Sequence, residues 1–384
     1  MIKVGVDEFT VCLLLADKDK LKSRNWNEIA EMIINIIESV LMLEDVFGER
    51  TITTTNNING YNIGVVYGCH PFYFRICYHS DYWHMGVAIR FSAQSLAFYM
   101  QRYAILTGEH IEAYNILQIL NSSKLGYTTM RLSRIDFCAD YINEGLSVEK
   151  KKKKLNSGSY HLEYSTGKKN TSKISGMVGG GVTDTVYIGS SAANIDSRLR
   201  IYNKRKEQID MHGSRYDEAV NCNNWIRMEN VIRHDYAHSL TDALMAIDND
   251  ADFAALIATC LLNKYTFKNS TGHDCKMTKL LRKVINKPAG YYFTKPKYKD
   301  LSLSESLYHL TKNSGLIPFL YKLKAFDKNG NAINLFIDYI GDKLNTYIPN
   351  RDTQTWMNHH SQYYSEHGIE EVFESSKRGK RCKK

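Results

Sequence analysis

The sequence predicts an α+β protein: antiparallel sheet flanked by helices, followed by a largely helical C-terminal region. Three observations carry this. Short aromatic and β-branched runs recur between turn-forming residues in the first third of the chain. Apolar residues recur at helical spacing in separate stretches, and from about Leu240 onward that spacing dominates. The division is drawn at residue 265, giving one unit over 1–265 and a second over 266–384 that ends in a basic tail.

Taken in order, Ile2 to Leu15 reads as a strand and Trp26 to Phe47 as an amphipathic helix, with Ile29, Met32, Ile33, Ile36, Ile37, Val40 and Leu43 on its apolar stripe. Tyr61 to Tyr67, Phe72 to Tyr78 and Met85 to Ser92 follow at short intervals and predict an antiparallel meander. Helices are expected over Ser95 to Tyr103 and Ile111 to Asn121. Thr128 to Tyr141 is a long strand whose alternation puts Arg134, Asp136, Cys138 and Asp140 on one face and Ile135, Phe137, Ala139 and Tyr141 on the other. A lysine run, Lys150 to Lys154, reads as a solvated loop or a phosphate contact, and a stretch through Gly179, Gly180 and Gly181 connects onward. Strands around Val186 and Ile201 and the strand carrying Glu229 complete a sheet with helices on one side. Leu240 to Leu262 and Leu301 to Phe326 read as helical; the second divides at Asn313, Ser314 and Gly315 into a pair compatible with helix-turn-helix.

Composition narrows the partners. The 384 residues carry a net charge of +9, which favours a polyanion without identifying one. Hydrophobic residues at 43% and only 5 prolines describe a mostly folded chain. The 8 cysteines are scattered with no CxxC pair, as expected in a reducing cytoplasm, and the N-terminal apolar run is too short to span a bilayer. Gly179 to Gly181 is not followed by the GK[ST] of a phosphate loop, so nucleotide hydrolysis has no support. His234 and His238 are four apart without the glutamate of a zinc-protease helix.

In RLRIYNK, alternation places Arg198, Arg200, Tyr202 and Lys204 on one face. Cations beside a tyrosine favour phenolate and compensate charge on a pentacoordinate phosphate, the requirements of phosphodiester strand transfer. The other reading is a half-buried strand tyrosine among ordinary salt bridges. Asp136 and Asp140, about 13 Å apart on a regular strand, cannot jointly grip one ion. One of them with Glu229, from WIRMENVIR, suits Mg²⁺ or Mn²⁺; cross-strand salt bridges among Arg134, Asp136, Arg227 and Glu229 suit the same residues.

The stretches SRIDFCADY, TVYIGSS with RLRIYNKRKEQ, and NWIRMENVIR, with weaker echoes in FTV and VAIRFSAQSL, resemble the replication initiation factor family of Gram-positive plasmids and mobile elements. That family includes rolling-circle initiators and related conjugative relaxases, and the likeness runs from the first strand to about residue 265. It implies a nicking domain that cuts one strand at an origin and becomes attached to the 5′ phosphate through Tyr202. It further implies Arg200 and Lys204 near the phosphate, and Asp136, Asp140 and Glu229 holding Mg²⁺ or Mn²⁺. Tyr187, in YIG, is the alternative nucleophile. The expected partner is single-stranded or melted origin DNA, with a host helicase and a second copy as further partners and no membrane. Two departures stand out: about two extra residues between YIGS and RIYNK, and no basic residue after that serine. A conjugative relaxase, a non-catalytic origin-binding protein and an RNA-binding protein using Tyr73 and Phe74 are the rival readings; no RNP motif supports the last.

Overall fold

In the computed structural model the chain opens with β1 (Ile2–Leu15), then α1 (Trp26–Val40), α2 (Leu43–Phe47), β2 (Arg50–Thr53), β3 (Ile63–Tyr67), β4 (Phe74–Tyr78), β5 (Val87–Phe91), α3 (Ala93–Thr107) and α4 (Ala113–Leu120). There follow β6 (Thr128–Ile142), α5 (Val148–Asn156), β7 (Tyr160–Glu163), β8 (Ile174–Gly179), β9 (Val182–Ile188), β10 (Ser197–Asn203), α6 (Lys204–Asp210), α7 (Tyr216–Asn221) and β11 (Trp225–Arg233). Then come α8 (His234–Met245), α9 (Asp250–Lys264), β12 (Thr266–Asn269) and α10 (Lys276–Val284). The structure describes residues 1–16, 25–68, 72–122, 128–179, 182–192, 195–211, 213, 215–285, 303–312, 315–349, 351–370 and 372–373. The basic tail from Lys377, Gly180, Gly181 and the junction residues Asn313 and Ser314 lie outside them.

Ten strands form one antiparallel sheet in the order β2-β3-β4-β5-β1-β6-β11-β10-β9-β8, and β7 pairs with β12 in a small second sheet. The expected meander is β3-β4-β5, with β2 added at its edge. Alternation gives the large sheet two unlike faces. Phe9, Val11 and Leu13 pair with Phe91, Ile89 and Val87, and this face continues through Ile135, Phe137, Ala139 and Tyr141, all fully buried. Leu240, Leu244, Leu256, Ile257 and Leu261 of α8 and α9 and Ile29, Ile33 and Ile37 of α1 join them in one apolar core. The opposite face carries Glu8, Arg90, Arg134, Asp136, Asp140, Arg227, Glu229 and Arg200.

Helices do not lie on the apolar side alone. Ala219 and Cys222, at α7, and Ile209 of α6 pack on Ile142 and Trp225, which project from the charged face. The helix expected over Trp26 to Phe47 breaks after Val40, because Met42 adopts a left-handed φ of 51° and starts a new helix. Asn25 caps α1 by accepting a hydrogen bond from the Glu28 N–H. The single helix expected over Leu240 to Leu262 is two, α8 and α9. Six described cysteines, Cys12, Cys77, Cys138, Cys222, Cys260 and Cys275, are free and buried. Among the described residues no helix is long and apolar enough to cross a membrane.

Contacts divide the chain into two compact units, Met1–Pro296 and Lys297–Lys384, so β12 and α10 belong with the sheet. The second unit contains α11 (Leu303–Lys312), α12 (Leu316–Phe326), α13 (Ala332–Asn345) and α14 (Arg351–His367). α12 begins after Gly315, whose φ of 77° suits glycine.

The lysine run is a helix rather than a loop. Ser147 caps α5, and Val148, Lys151 and Leu155 face inward at helical spacing. Lys151 lies 4.4 Å from the Phe267 ring centroid and 5.5 Å from that of Tyr160. Burial outweighs that attraction and pulls its pKa from 10.5 down to about 8. The unfolded chain therefore binds more protons between those values, and stability should rise as pH climbs through that window. Lys151→Met is expected to stabilise the fold at pH 7 by on the order of 1–3 kcal/mol and to flatten that rise. Urea denaturation at several pH values checks it; a wild type with no rise above pH 8 would count against the assignment.

Candidate active site

Strand register sets three rows of side chains on the charged face. Thr185, Tyr202, Arg227 and Asp140 pair in one row; Tyr187, Arg200, Glu229 and Cys138 in the next; Arg198, Val231, Asp136 and Glu8 in the third. Directly opposed residues in such rows are about 4.5–5.5 Å apart, close enough for their charges to dominate one another. The β1–β6 pairing shifts register between Val6 and Glu8, leaving Asp7 as an extra residue. That bulge turns both Asp7 and Glu8 toward a cavity of about 830 Å³, also lined by Arg134, Asp136, Tyr187, Arg200, Lys204, Arg227 and Glu229.

Each buried carboxylate of this face meets a guanidinium. Arg134 donates to both oxygens of Asp136 at 2.9 and 2.6 Å and to Glu8 at 2.6 Å, while Arg90 donates to Glu8 at 3.0 Å. Arg227 grips Asp140 through two bonds of 2.7 and 2.8 Å and also pairs with Asp7. Arg215, stacked 4.2 Å from the Trp225 ring centroid, adds a third bond to Asp140 at 2.9 Å. Arg200 donates to both oxygens of Glu229 at 2.8 Å, and the Tyr202 hydroxyl donates to Glu229 at 3.1 Å.

Tyr202 is 4% exposed. Its ring lies under the Arg200 guanidinium at 4.3 Å, with the Lys204 ammonium at 5.6 Å. Sequence spacing led to the expectation that these cations favour phenolate. Burial, reinforced by the Glu229 charge, instead pushes the phenol well above its usual range and outweighs Arg227 and Arg200. The hydroxyl is therefore a neutral donor aimed at a carboxylate. Burial and Asp7 also push Glu229 up, which makes it a better proton acceptor once the phenol ionises.

The two aspartates behave oppositely. Burial, together with the charges of Glu8 and Glu229, overcomes the Arg134 pair and pushes Asp136 up to about 7. Burial works the same way on Asp140, but the Arg227 and Arg215 guanidiniums hold it down at about 2. Asp136 and Glu229 line the cavity and Asp140 does not, so the trio expected to hold a metal is not gathered around one space. Among the described residues no three His, Cys, Asp or Glu side chains converge as a metal-binding group. Carboxylates match a hard divalent cation in type, and Glu229 is repelled by Asp7 and repels Asp136.

Lys204 does not continue the strand. Asn203 ends β10 and caps α6 by accepting from the Lys206 N–H, so Lys204 opens that helix, pairs with Glu207 and still reaches the cavity. Tyr187 is half-buried and lines the cavity, with the Arg198 guanidinium 4.1 Å from its ring centroid. Asp7, Glu8 and Arg215 were not anticipated. The adjacent acids inside the otherwise apolar VGVDEFTV were the available signal for the first two. Arg215 comes from the segment between α6 and α7, which no strand periodicity reaches.

A family model described as replication initiation factor matches residues 130–340, which takes in β6, β10 and β11. Among solved structures, the rolling circle replication initiator protein from Geobacillus stearothermophilus shares the fold. Its TM-score is 0.50 at 18% identity, over 74% of this chain and 97% of that one. No curated protein matches the sequence.

Arg227→Met strips the counter-charge from Asp140 and Asp7 and is expected to destabilise the protein by about 3–5 kcal/mol. Denaturant titration should show much of that loss recovered when Asp140→Leu is added. Asp136 carries a raised pKa, so its folded form binds the extra proton from pH 3.8 to about 7, and its contribution to stability falls as pH rises through that window. Asp136→Asn should abolish this decline in pH-resolved unfolding curves; an unchanged decline would reassign it to another group.

Proposed function

Because this chain belongs to the replication initiation factor family, we propose that it starts rolling-circle replication by nicking and rejoining DNA at an origin. The observation that supports this most directly is the Tyr202 hydroxyl, 3.1 Å from the Glu229 carboxylate and flanked by Arg200. In the reaction, the Tyr202 oxygen attacks the scissile phosphorus and its proton passes to Glu229. The bond to the 3′ oxygen breaks, and that oxygen leaves as a 3′ hydroxyl after taking up a proton. The 5′ phosphate remains on Tyr202, and attack by a 3′ hydroxyl reverses the steps.

Arg200 and Lys204, at the cavity wall, supply positive charge to the phosphorane. An incoming phosphate competes with Glu229 for the Arg200 guanidinium, which frees the carboxylate to accept the phenol proton. Of the residues expected to hold Mg²⁺ or Mn²⁺, Asp136 is the one that lines the cavity and has no part in the proton transfer; an ion bound there would polarise the phosphate. Single-stranded or melted DNA is the substrate, since the nucleotide has to enter a cavity walled by the sheet. Strand chemistry is assigned to the first compact unit, working in the cytoplasm on plasmid or mobile-element DNA. The C-terminal helices are assigned to DNA or partner contact. Tyr187 has one observation in its favour as the nucleophile: it lines the cavity, whereas Tyr202 lies behind Arg200.

Incubating the protein with labelled single-stranded DNA from its own locus and Mn²⁺, then running a denaturing gel, tests the reading. The expected result is a covalent adduct with wild type and Tyr187→Phe and none with Tyr202→Phe. Loss only in Tyr187→Phe would move the nucleophile to β9. Tight binding with no adduct from any locus fragment would make the protein a non-catalytic origin binder.

A further inference from the structure

We propose that a lysine ridge formed by α5 and the segment from Lys168 to Lys173 grips the phosphate backbone of duplex DNA beside the nick, an inference that rests on the nicking function above. Because Val148, Lys151 and Leu155 take the inner face of α5, Lys150, Lys153 and Lys154 are exposed and Lys152 is half-buried. Lys152 crosses β8 at Gly176: a Cβ there would lie 2.9 Å from the Lys152 Nζ and 3.0 Å from the Thr185 carbonyl oxygen. Glycine at that position makes room for the amine to lie over the strand.

The second half of the ridge is fastened to the same region by backbone bonds. Tyr164 N–H donates to the Lys168 carbonyl and Asn170 N–H to the Leu162 carbonyl, both at 2.8 Å, holding the exposed Lys168 and Lys169 beside β7. The exposed Lys173 accepts at its carbonyl from Gly189 N–H at 2.9 Å, one residue before Ser190, which lines the active-site cavity. The α5 half of the ridge packs against Val186 and Ile188 on the apolar face of the sheet, and Lys173 carries the ridge to the end of β9, next to the turn from which Ser190 reaches the cavity.

Its charge is almost uncompensated. Glu149 pairs with Lys153 at 2.9 Å, while Glu163 is taken by His161 at 2.9 Å and Lys268 at 3.9 Å. Among the described residues no carboxylate lies within ion-pair distance of Lys150, Lys152, Lys168, Lys169 or Lys173. Clustered like charges repel one another, and a polyanion relieves that repulsion while releasing its own condensed counterions. Single strands are usually held by aromatic platforms on which bases stack. The two tyrosines of this region, Tyr160 and Tyr164, are half-buried, and Lys154 covers the Tyr160 ring at 4.7 Å. Phosphates of a duplex, not unstacked bases, match such a surface.

The test uses the full chain and two fluorescein-labelled probes, a random-sequence duplex with a single-stranded overhang and the overhang strand alone. Anisotropy titrations over a range of salt compare wild type with the triple variant Lys150→Ala, Lys169→Ala, Lys173→Ala. A control triple on α10, Lys276→Ala, Lys279→Ala, Lys283→Ala, removes equal charge from a different surface. The ridge variant should bind the duplex probe about 10-fold or more weakly at about 0.1 M salt, with the log–log salt slope shallower by about 2 to 3. Its binding to the overhang strand and its Tyr202 adduct on single-stranded DNA should match wild type. Duplex binding at wild-type strength, or an equal loss in the α10 control, would overturn the ridge. Failure of wild type to form an adduct would remove the nicking function but leave these titrations able to decide whether the ridge binds duplex.

Discussion

Charge that is buried has to meet opposite charge, and on the inner strands of this sheet that requirement governs everything around it. Asp136, Asp140, Glu229 and Arg227 are all nearly inaccessible to solvent, a situation tolerable only where guanidiniums and carboxylates bond with good geometry. A slip of β11 by one residue against β6 would turn Arg227 and Glu229 into the apolar layer beneath, away from Asp136 and Asp140. The same ion pairs that hold register therefore keep Tyr202 beside Glu229. Stability and the proposed reactivity draw on one set of contacts.

The sheet separates two solvents. Beneath it, the fully buried faces of β1, β5 and β6 seal against α1, α8 and α9 in one apolar core. Above it, the rows of the inner strands carry ionisable groups, and the end near Trp225 and Ile142 is apolar, where α6 and α7 close over it. A rigid lower layer lets the upper one hold charges at fixed separations, which electrostatic catalysis requires because its donors must not reorganise as charge develops.

Much of this was legible in the sequence because it depends on period. The long strand through Asp136, the meander, the shared face of Arg198, Arg200 and Tyr202, and the split of α11 from α12 all follow from alternation or helical spacing. What escaped depends on departures from period or on distant partners. The bulge that brings in Asp7 leaves no mark beyond two adjacent acids. Met42 ends α1 through a backbone turn that its side chain does not advertise. Lys150 to Lys154 look like a charge run until Val148 and Leu155 are seen to give them an inner face. Least readable was the state of Tyr202: cations adjacent in sequence suggested ionisation, whereas depth and the Glu229 carboxylate, nearly thirty residues away, decide it.

At the end of β10 the chain passes from strand to helix with no intervening loop: Asn203 is both the last strand residue and the cap of α6. Tyr202 is thus anchored on one side by the ladder and on the other by a helix start. A strand end fixed to that side chain would have almost no slack. In the proposed rejoining step, the free hydroxyl would have to be delivered to a stationary phosphate by bending or unwinding the nucleic acid, so that tension in the DNA, not a swinging arm of protein, would set how readily the circle is closed.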